Sequence, residues 1–266
     1  MIKKTVLFFF IAYFISWSLY FLYGSSEGTF IGYLIKFGFT ISGIIMLVLT
    51  KDRVSFRRIL SYFYSVKSLK FLWIGLLPLV AYLLSALLSV PTESLSLNHD
   101  NSLQEWIYTI GFSSSSGILF YMFFRGGLGE EIGLRGYLLP LLLQHIKPLK
   151  AALIIGVFWA LWHYPIWISQ GFVIVAVLTL AVLAWSVIFT YVFLKTKSLW
   201  VVIFLHATSN SGDEIIEFIF PHLAGFDWEL YYVLFIIITG VILCFFVNKL
   251  ELETLDISLK NPKPTD

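Results

Sequence analysis

Long apolar blocks alternate with short polar ones along the chain, and the apolar residues run in blocks rather than at amphipathic spacing. A helix needs about 20 residues to cross the hydrocarbon core of a bilayer. Against that length the blocks predict eight spans, at 5–23, 29–49, 71–90, 107–131, 151–168, 172–194, 199–220 and 230–248. The first block, from Thr5 to Tyr23 behind Lys3 and Lys4, is longer than the about 7–15 apolar residues of a signal peptide. No clear small-x-small cleavage site follows it, so it reads as an uncleaved span. The run Gly136–Ile146 is apolar but too short to cross, and is expected to lie along the inner face as an interfacial helix. The polar end at about 255–266, with Pro262 and Pro264, is expected to be disordered. With no convincing internal repeat and no separate soluble domain, residues 1–266 read as one all-α, polytopic membrane domain. Its motif-bearing core lies at about 107–225.

Lysine and arginine set the orientation. They fall in alternate connections: Lys3 and Lys4; Lys51, Arg53, Arg57, Arg58, Lys67 and Lys70; Arg135, Lys147 and Lys150; Lys195 and Lys197; Lys249, Lys260 and Lys263. The opposite connections, Gly24–Gly28, Pro91–Trp106, Ser169–Gly171 and Pro221–Glu229, contain neither residue. Eight spans put every basic segment on one side, so both termini are expected in the cytoplasm. Lys36, within the second span, is expected to snorkel or face the bundle, and Arg125 to lie near the inner interface or be paired.

Composition agrees with this class. The chain has 266 residues, 59% of them hydrophobic and only 13% charged, where a soluble domain carries roughly 25% charge. Net charge is +2. Cys244, the single cysteine, cannot form an intrachain disulfide and reads as a packing residue.

Three polar clusters interrupt the apolar background, and ionisable groups at membrane depth generally line a cavity, a pathway or a site. In the first, Glu130 and Glu131 point about 100° apart if helical, so they cannot share one job. Arg135 is four residues after Glu131, the spacing of an ion pair along one helix face, which leaves Glu130 the less neutralised carboxylate and a candidate general base. In the second, His163 lies four residues after Trp159 with Phe158 beside it, and Pro165 predicts a bend just beyond the histidine. In the third, His206 and Asn210 share a helix face, with Asp213 and Glu214 a turn further on nearly the same stripe. Histidine and asparagine can donate hydrogen bonds to a developing oxyanion. Singly, each cluster also fits a structural role: a charge cluster, a buried histidine, interhelical polar glue. Together they are the parts of a hydrolytic centre.

The motifs Glu130-Glu131-x-x-x-Arg135, aromatic-x-x-x-His ending at His163, and His206-x-x-x-Asn210 resemble the signatures of the CPBP family. These are the CAAX-processing and bacteriocin-processing (Abi) intramembrane proteases. The resemblance covers about residues 110–225. It implies an eight-helix bundle with a catalytic cavity open to the cytoplasm, in which Glu130 and His163 activate water and His206 and Asn210 stabilise the oxyanion. Glu131, Arg135 and Trp159 would support them. The family pattern usually has phenylalanine where this chain has Trp159, so a bulky aromatic is kept. A divalent metal such as zinc would have Glu130, His163 and His206 as ligands, but the same residues have complete roles in a metal-free route, which is the expectation here.

The expected activity is therefore an intramembrane endopeptidase acting on a membrane-associated peptide or protein, in a bacterial plasma membrane, with no nucleic-acid partner. The alternative is a non-enzymatic membrane protein that binds a peptide as an immunity factor or scaffold. A transporter fits less well, because the polar residues concentrate in the second half of the chain rather than recurring in both.

Overall fold

The computed structural model describes residues 1–25, 29–64, 66–89, 126–220 and 229–250, with backbone alone at 66–68, 89, 213, 214 and 216–219. The described residues are helical and include no strand. The expected span 107–131 lies outside them up to residue 125, as do Arg125, the connections 91–106 and 221–228, and the tail from 251.

Helix α1 (Ile2–Tyr23) is followed by α2 (Phe30–Lys36), α3 (Gly38–Thr50) and α4 (Arg53–Phe63). A 3₁₀ segment (Val66–Leu76) leads into α5 (Leu77–Ser89). After the undescribed stretch come α6 (Leu128–Glu131), a π-helical segment (Ile132–Leu138) and α7 (Leu139–Leu143). The chain continues as α8 (Pro148–Trp167), α9 (Phe172–Thr196), α10 (Leu199–Ile219) and α11 (Glu229–Val247). Five helices are long and apolar enough to cross a membrane, beginning at Ile2, Leu69, Pro148, Phe172 and Glu229, and α2 with α3 makes a sixth if that bent pair is one span. Large apolar side chains such as Phe10, Phe14, Phe21, Phe172 and Phe245 stand exposed around the bundle, a surface that only lipid would cover. This is an all-α integral membrane protein. The count of eight is not reached among the described residues.

Three expectations are corrected. The second span is not straight: α2 and α3 meet at Phe37 with a 64° bend. Gly136–Ile146 is not an exposed surface helix. Residues 136–140, 142 and 143 are buried, Leu138 and Leu139 completely, because a helix apolar on every side gains most from burial on every side. The amphipathic helix is instead α4, with Arg53 and Arg57 exposed and Ile59 and Tyr62 turned into the core. Asp52 caps it, accepting from Ser55 N–H at 2.9 Å. Arg135, counted among the connecting cations, is fully buried.

Close helix crossings follow the glycines. A β-carbon on Gly129 would lie 2.7 Å from the Lys36 carbonyl, and one on Gly133 would collide with that of Phe39. These two glycines, four apart, let the glutamate-bearing helix press against the α2–α3 break, as small residues do between membrane helices. Thr40 Oγ1 seals the crossing with a 2.8 Å bond to the Leu128 carbonyl. The core runs through Phe8 and Phe9, Phe39, Leu134 and Leu138, Ile155 and Trp159, Phe189 and Phe193, and Val201–Ile203. Helix α9 packs between α8 and α11, and α10 lies against the 3₁₀ segment and α5.

Helix α1 is docked on α8 by three donors at successive turns. Tyr13 Oη donates to the Phe158 carbonyl, Trp17 Nε1 to that of Trp162 at 3.0 Å, and Tyr20 Oη to that of Pro165 at 3.5 Å. Helix α8 stays α-helical through Pro165 to Trp167 and only then tightens into a 3₁₀ turn at Ile168–Gln170. The change of course expected just after His163 therefore comes beyond Trp167. Proline near a helix end removes few hydrogen bonds, which is why α8 accommodates it.

Candidate active site

Glu130 closes α6 together with Glu131, and both carboxylates are buried, at 2% and 0% exposure. The ion pair expected from spacing is present: Arg135 Nη1 lies 3.0 Å from Glu131 Oε1. The local helix is π rather than α from Ile132 onward, a departure that occurs frequently at functional sites. Arg135 Nη2 reaches on to Ser186 of α9, 3.3 Å from its Oγ and 3.4 Å from its carbonyl. Ser186 Oγ in turn donates to the Ala152 carbonyl of α8 at 2.8 Å. The guanidinium also sits 5.3 Å from the Trp159 ring and 5.2 Å from the Phe189 ring, so its uncoordinated faces rest on π-systems.

Glu131 has a second partner that spacing does not reveal. His206 Nδ1 approaches the same oxygen, Oε1, at 2.7 Å. An ionised carboxylate only accepts, so Nδ1 carries the hydrogen and Nε2 is the nitrogen left to face the site. Nε2 points at Gly126, as does Asn210 Nδ2: a β-carbon on Gly126 would collide with the amide and stand 2.9 Å from Nε2. His206 and Asn210 therefore converge on Gly126, where a side chain would not fit. Gly126 is not among the residues expected from sequence, although the Gly-Gly pair just before the glutamates is a signal for it.

Glu130 is held differently. Trp159 Nε1 donates to its Oε2 at 2.5 Å, a contact that phenylalanine could not make. The Trp159 carbonyl, one turn back from His163, takes His163 Nδ1–H at 2.9 Å, which turns the lone pair of Nε2 outward. The His163 ring stacks on Trp167 at 4.6 Å and meets Trp162 edge-on at 4.8 Å. Trp159 is itself 5.3 Å from the His206 ring and 6.0 Å from the His163 ring. His163 is half-buried, while His206 is 2% exposed. Lys36, at the α2–α3 break, brings its charge to bear on both Glu130 and His163, so it belongs to the bundle interior rather than snorkelling away.

The structure thus gathers Glu130, Glu131, Arg135, Trp159, His206 and Asn210 around one point, with His163 on the adjoining turn of α8. It does not carry α10 unbroken toward Asp213 and Glu214. The backbone leaves helical geometry at Ser211 (φ −142°, ψ 16°), one residue after Asn210, so the stripe is interrupted, and those two side chains lie outside the described ones. Nor do Glu130, His163 and His206 form a ligand set: among the described residues no three His, Cys, Asp or Glu side chains are grouped to hold a metal ion. Both Nδ1 atoms are committed, one to a carbonyl and one to Glu131, which leaves each Nε2 as the nitrogen that can act.

Comparison with known proteins addresses the same region. Residues 112–212 match the family model for type II CAAX prenyl endopeptidases, Rce1-like. A CAAX prenyl protease 2 of Methanococcus maripaludis is 26% identical over 221 residues, covering 70% of this chain and 79% of the relative. The three motifs, the match that spans them and this relative agree: the chain is a membrane protein similar to the Rce1-like CAAX prenyl endopeptidases.

Proposed function

We propose that this protein is an intramembrane endopeptidase in which Glu130 and His163 activate water and His206 and Asn210 stabilise the tetrahedral oxyanion. The observation that carries the reading is the convergence of His206 Nε2 and Asn210 Nδ2 at Gly126, on the same side of the bundle as a buried carboxylate held by a tryptophan. Two polar nitrogens brought side by side are what a developing oxyanion requires. With Nδ1–H given to Glu131, His206 offers a hydrogen from Nε2 as imidazolium, and the Glu131 carboxylate compensates that charge. Across the scissile carbonyl from these two, Glu130 takes a proton from water while His163, its Nδ1–H fixed by the Trp159 carbonyl, accepts a hydrogen bond from that water at Nε2 and orients it. The proton then passes from Glu130 to the leaving amine.

Among the described residues no three His, Cys, Asp or Glu side chains are grouped to hold a metal, and the route proposed here draws no step through one. Treatment with 1,10-phenanthroline is expected to leave the cleavage rate unchanged. A loss that zinc restores would overturn the metal-free route.

The substrate class is a membrane-associated peptide or protein, and the cytoplasmic face, marked by the basic connections, is the side from which it enters. The relative's activity suggests a probe, an internally quenched peptide ending in a farnesylated CAAX tetrapeptide. In purified full-length protein in nanodiscs, Glu130→Gln is expected to lower cleavage by about 10²- to 10⁴-fold with the helical circular dichroism intact. Wild-type turnover by this variant would remove the mechanism.

A further inference from the structure

Trp159 touches the site in four ways. Its indole N–H meets Glu130 Oε2 at 2.5 Å, its carbonyl meets His163 Nδ1 at 2.9 Å, its ring lies edge-on to His206 at 5.3 Å, and Arg135 sits over its face at 5.3 Å. It is 3% exposed, so the indole hydrogen has no water competing for it. The carbonyl is supplied by any residue at this position, and the ring contacts by any large aromatic. The hydrogen bond to Glu130 is supplied by the indole alone.

We infer that Trp159 is a positioning residue for Glu130: its indole N–H fixes one carboxylate oxygen so that the other, Oε1, is presented to the water. The inference rests on the protease reading above. A carboxylate without this bond would rotate among several rotamers and spend only part of its time aimed at the water, and misplacement of about 1 Å can cost orders of magnitude in rate. A hydrogen bond to a charged group is worth roughly ten- to a hundredfold in an equilibrium, which bounds the effect. Trp159 touches no reacting atom itself, so substrate binding is left alone.

The test uses the full chain in nanodiscs with two replacements at position 159. Trp159→Phe removes the donor and some volume. β-(3-Benzothienyl)alanine, inserted at the same codon, keeps the indole shape and exchanges only the N–H for sulfur. Both are expected to lower kcat for the farnesylated CAAX peptide about 10- to 100-fold while KM stays at the wild-type value. If the benzothienyl protein matches wild type, the ring and not its hydrogen matters, and the inference is overturned. It is overturned equally if KM rises in place of a fall in kcat. A readout independent of turnover separates this from the parent reading. In ¹⁵N-indole-labelled protein the Trp159 resonance should lie far downfield and move upfield in Glu130→Ala. An unmoved resonance removes the hydrogen bond, whatever the activity. Full activity of Glu130→Gln removes the protease mechanism, whatever the resonance.

Discussion

Glu130 and Glu131 are adjacent in sequence, the same residue type and both hidden from solvent, yet their surroundings have little in common. Glu131 Oε1 is the meeting point of Arg135 and His206, and through Arg135 and Ser186 it is linked to the backbone of α8. That chain of contacts crosses α6, the π segment, α8, α9 and α10. Among the described residues Glu130 has one hydrogen bond, from Trp159. A carboxylate that gathers a guanidinium and an imidazole stabilises an assembly and is hard to move. One held by a single neutral donor is the freer to act, although Glu131 too keeps an oxygen, Oε2, without a hydrogen bond. The hundred-degree step between neighbouring helical residues is what lets two like groups take such unlike tasks.

This contrast sorts substitutions into those that fail by unfolding and those that fail by rate. The largest effect is expected from Glu131→Ala, which strands a fully buried Arg135 and should cost about 3–5 kcal/mol, read as loss of folded protein in a thermal-unfolding series in detergent. Next is Asn210→Ala, which should leave the unfolding midpoint in place and lower kcat about 10²- to 10³-fold, the scale of a lost oxyanion donor. Equal stability losses in both would erase the distinction. Ser186→Ala removes one end of the arginine fork and should cost about 1 kcal/mol with turnover unchanged. Smallest, Trp17→Phe on the far helix should cost about 0.6 kcal/mol, the average of a hydrogen bond between membrane helices, and be silent in kinetics.

What sequence reveals depends on whether the relation is local. The Arg135–Glu131 pair and the shared face of His206 and Asn210 follow from four-residue spacing on a helix, and both are found. The partner of His206 cannot be read in the same way, because which carboxylate an imidazole on α10 meets depends on how two remote helices are rotated. The break at Phe37 is invisible in an apolar run of normal length, although Lys36 beside it is the one charge that fits poorly there. The break at Ser211 has a faint signal in Gly212, whose β-carbon would strike the Tyr82 ring, but glycine alone does not say where a helix bends. Gly136–Ile146 looks interfacial when its short length is weighed and the all-round hydrophobicity of its first eight residues is not. Trp159 reads as bulk, since a side chain's donor matters only once its neighbour is known.

The three bonds from α1 end on carbonyl oxygens, which every amino acid carries. These three bonds therefore do not depend on which side chains line that strip of α8, although Phe9 of α1 also stacks on the Phe158 ring at 4.3 Å. Sliding is another matter: a shift of one residue would misalign all three acceptors together. The amino-terminal helix thus serves as a register gauge for α8, fixing its axial position, and with it that of His163, chiefly through backbone atoms.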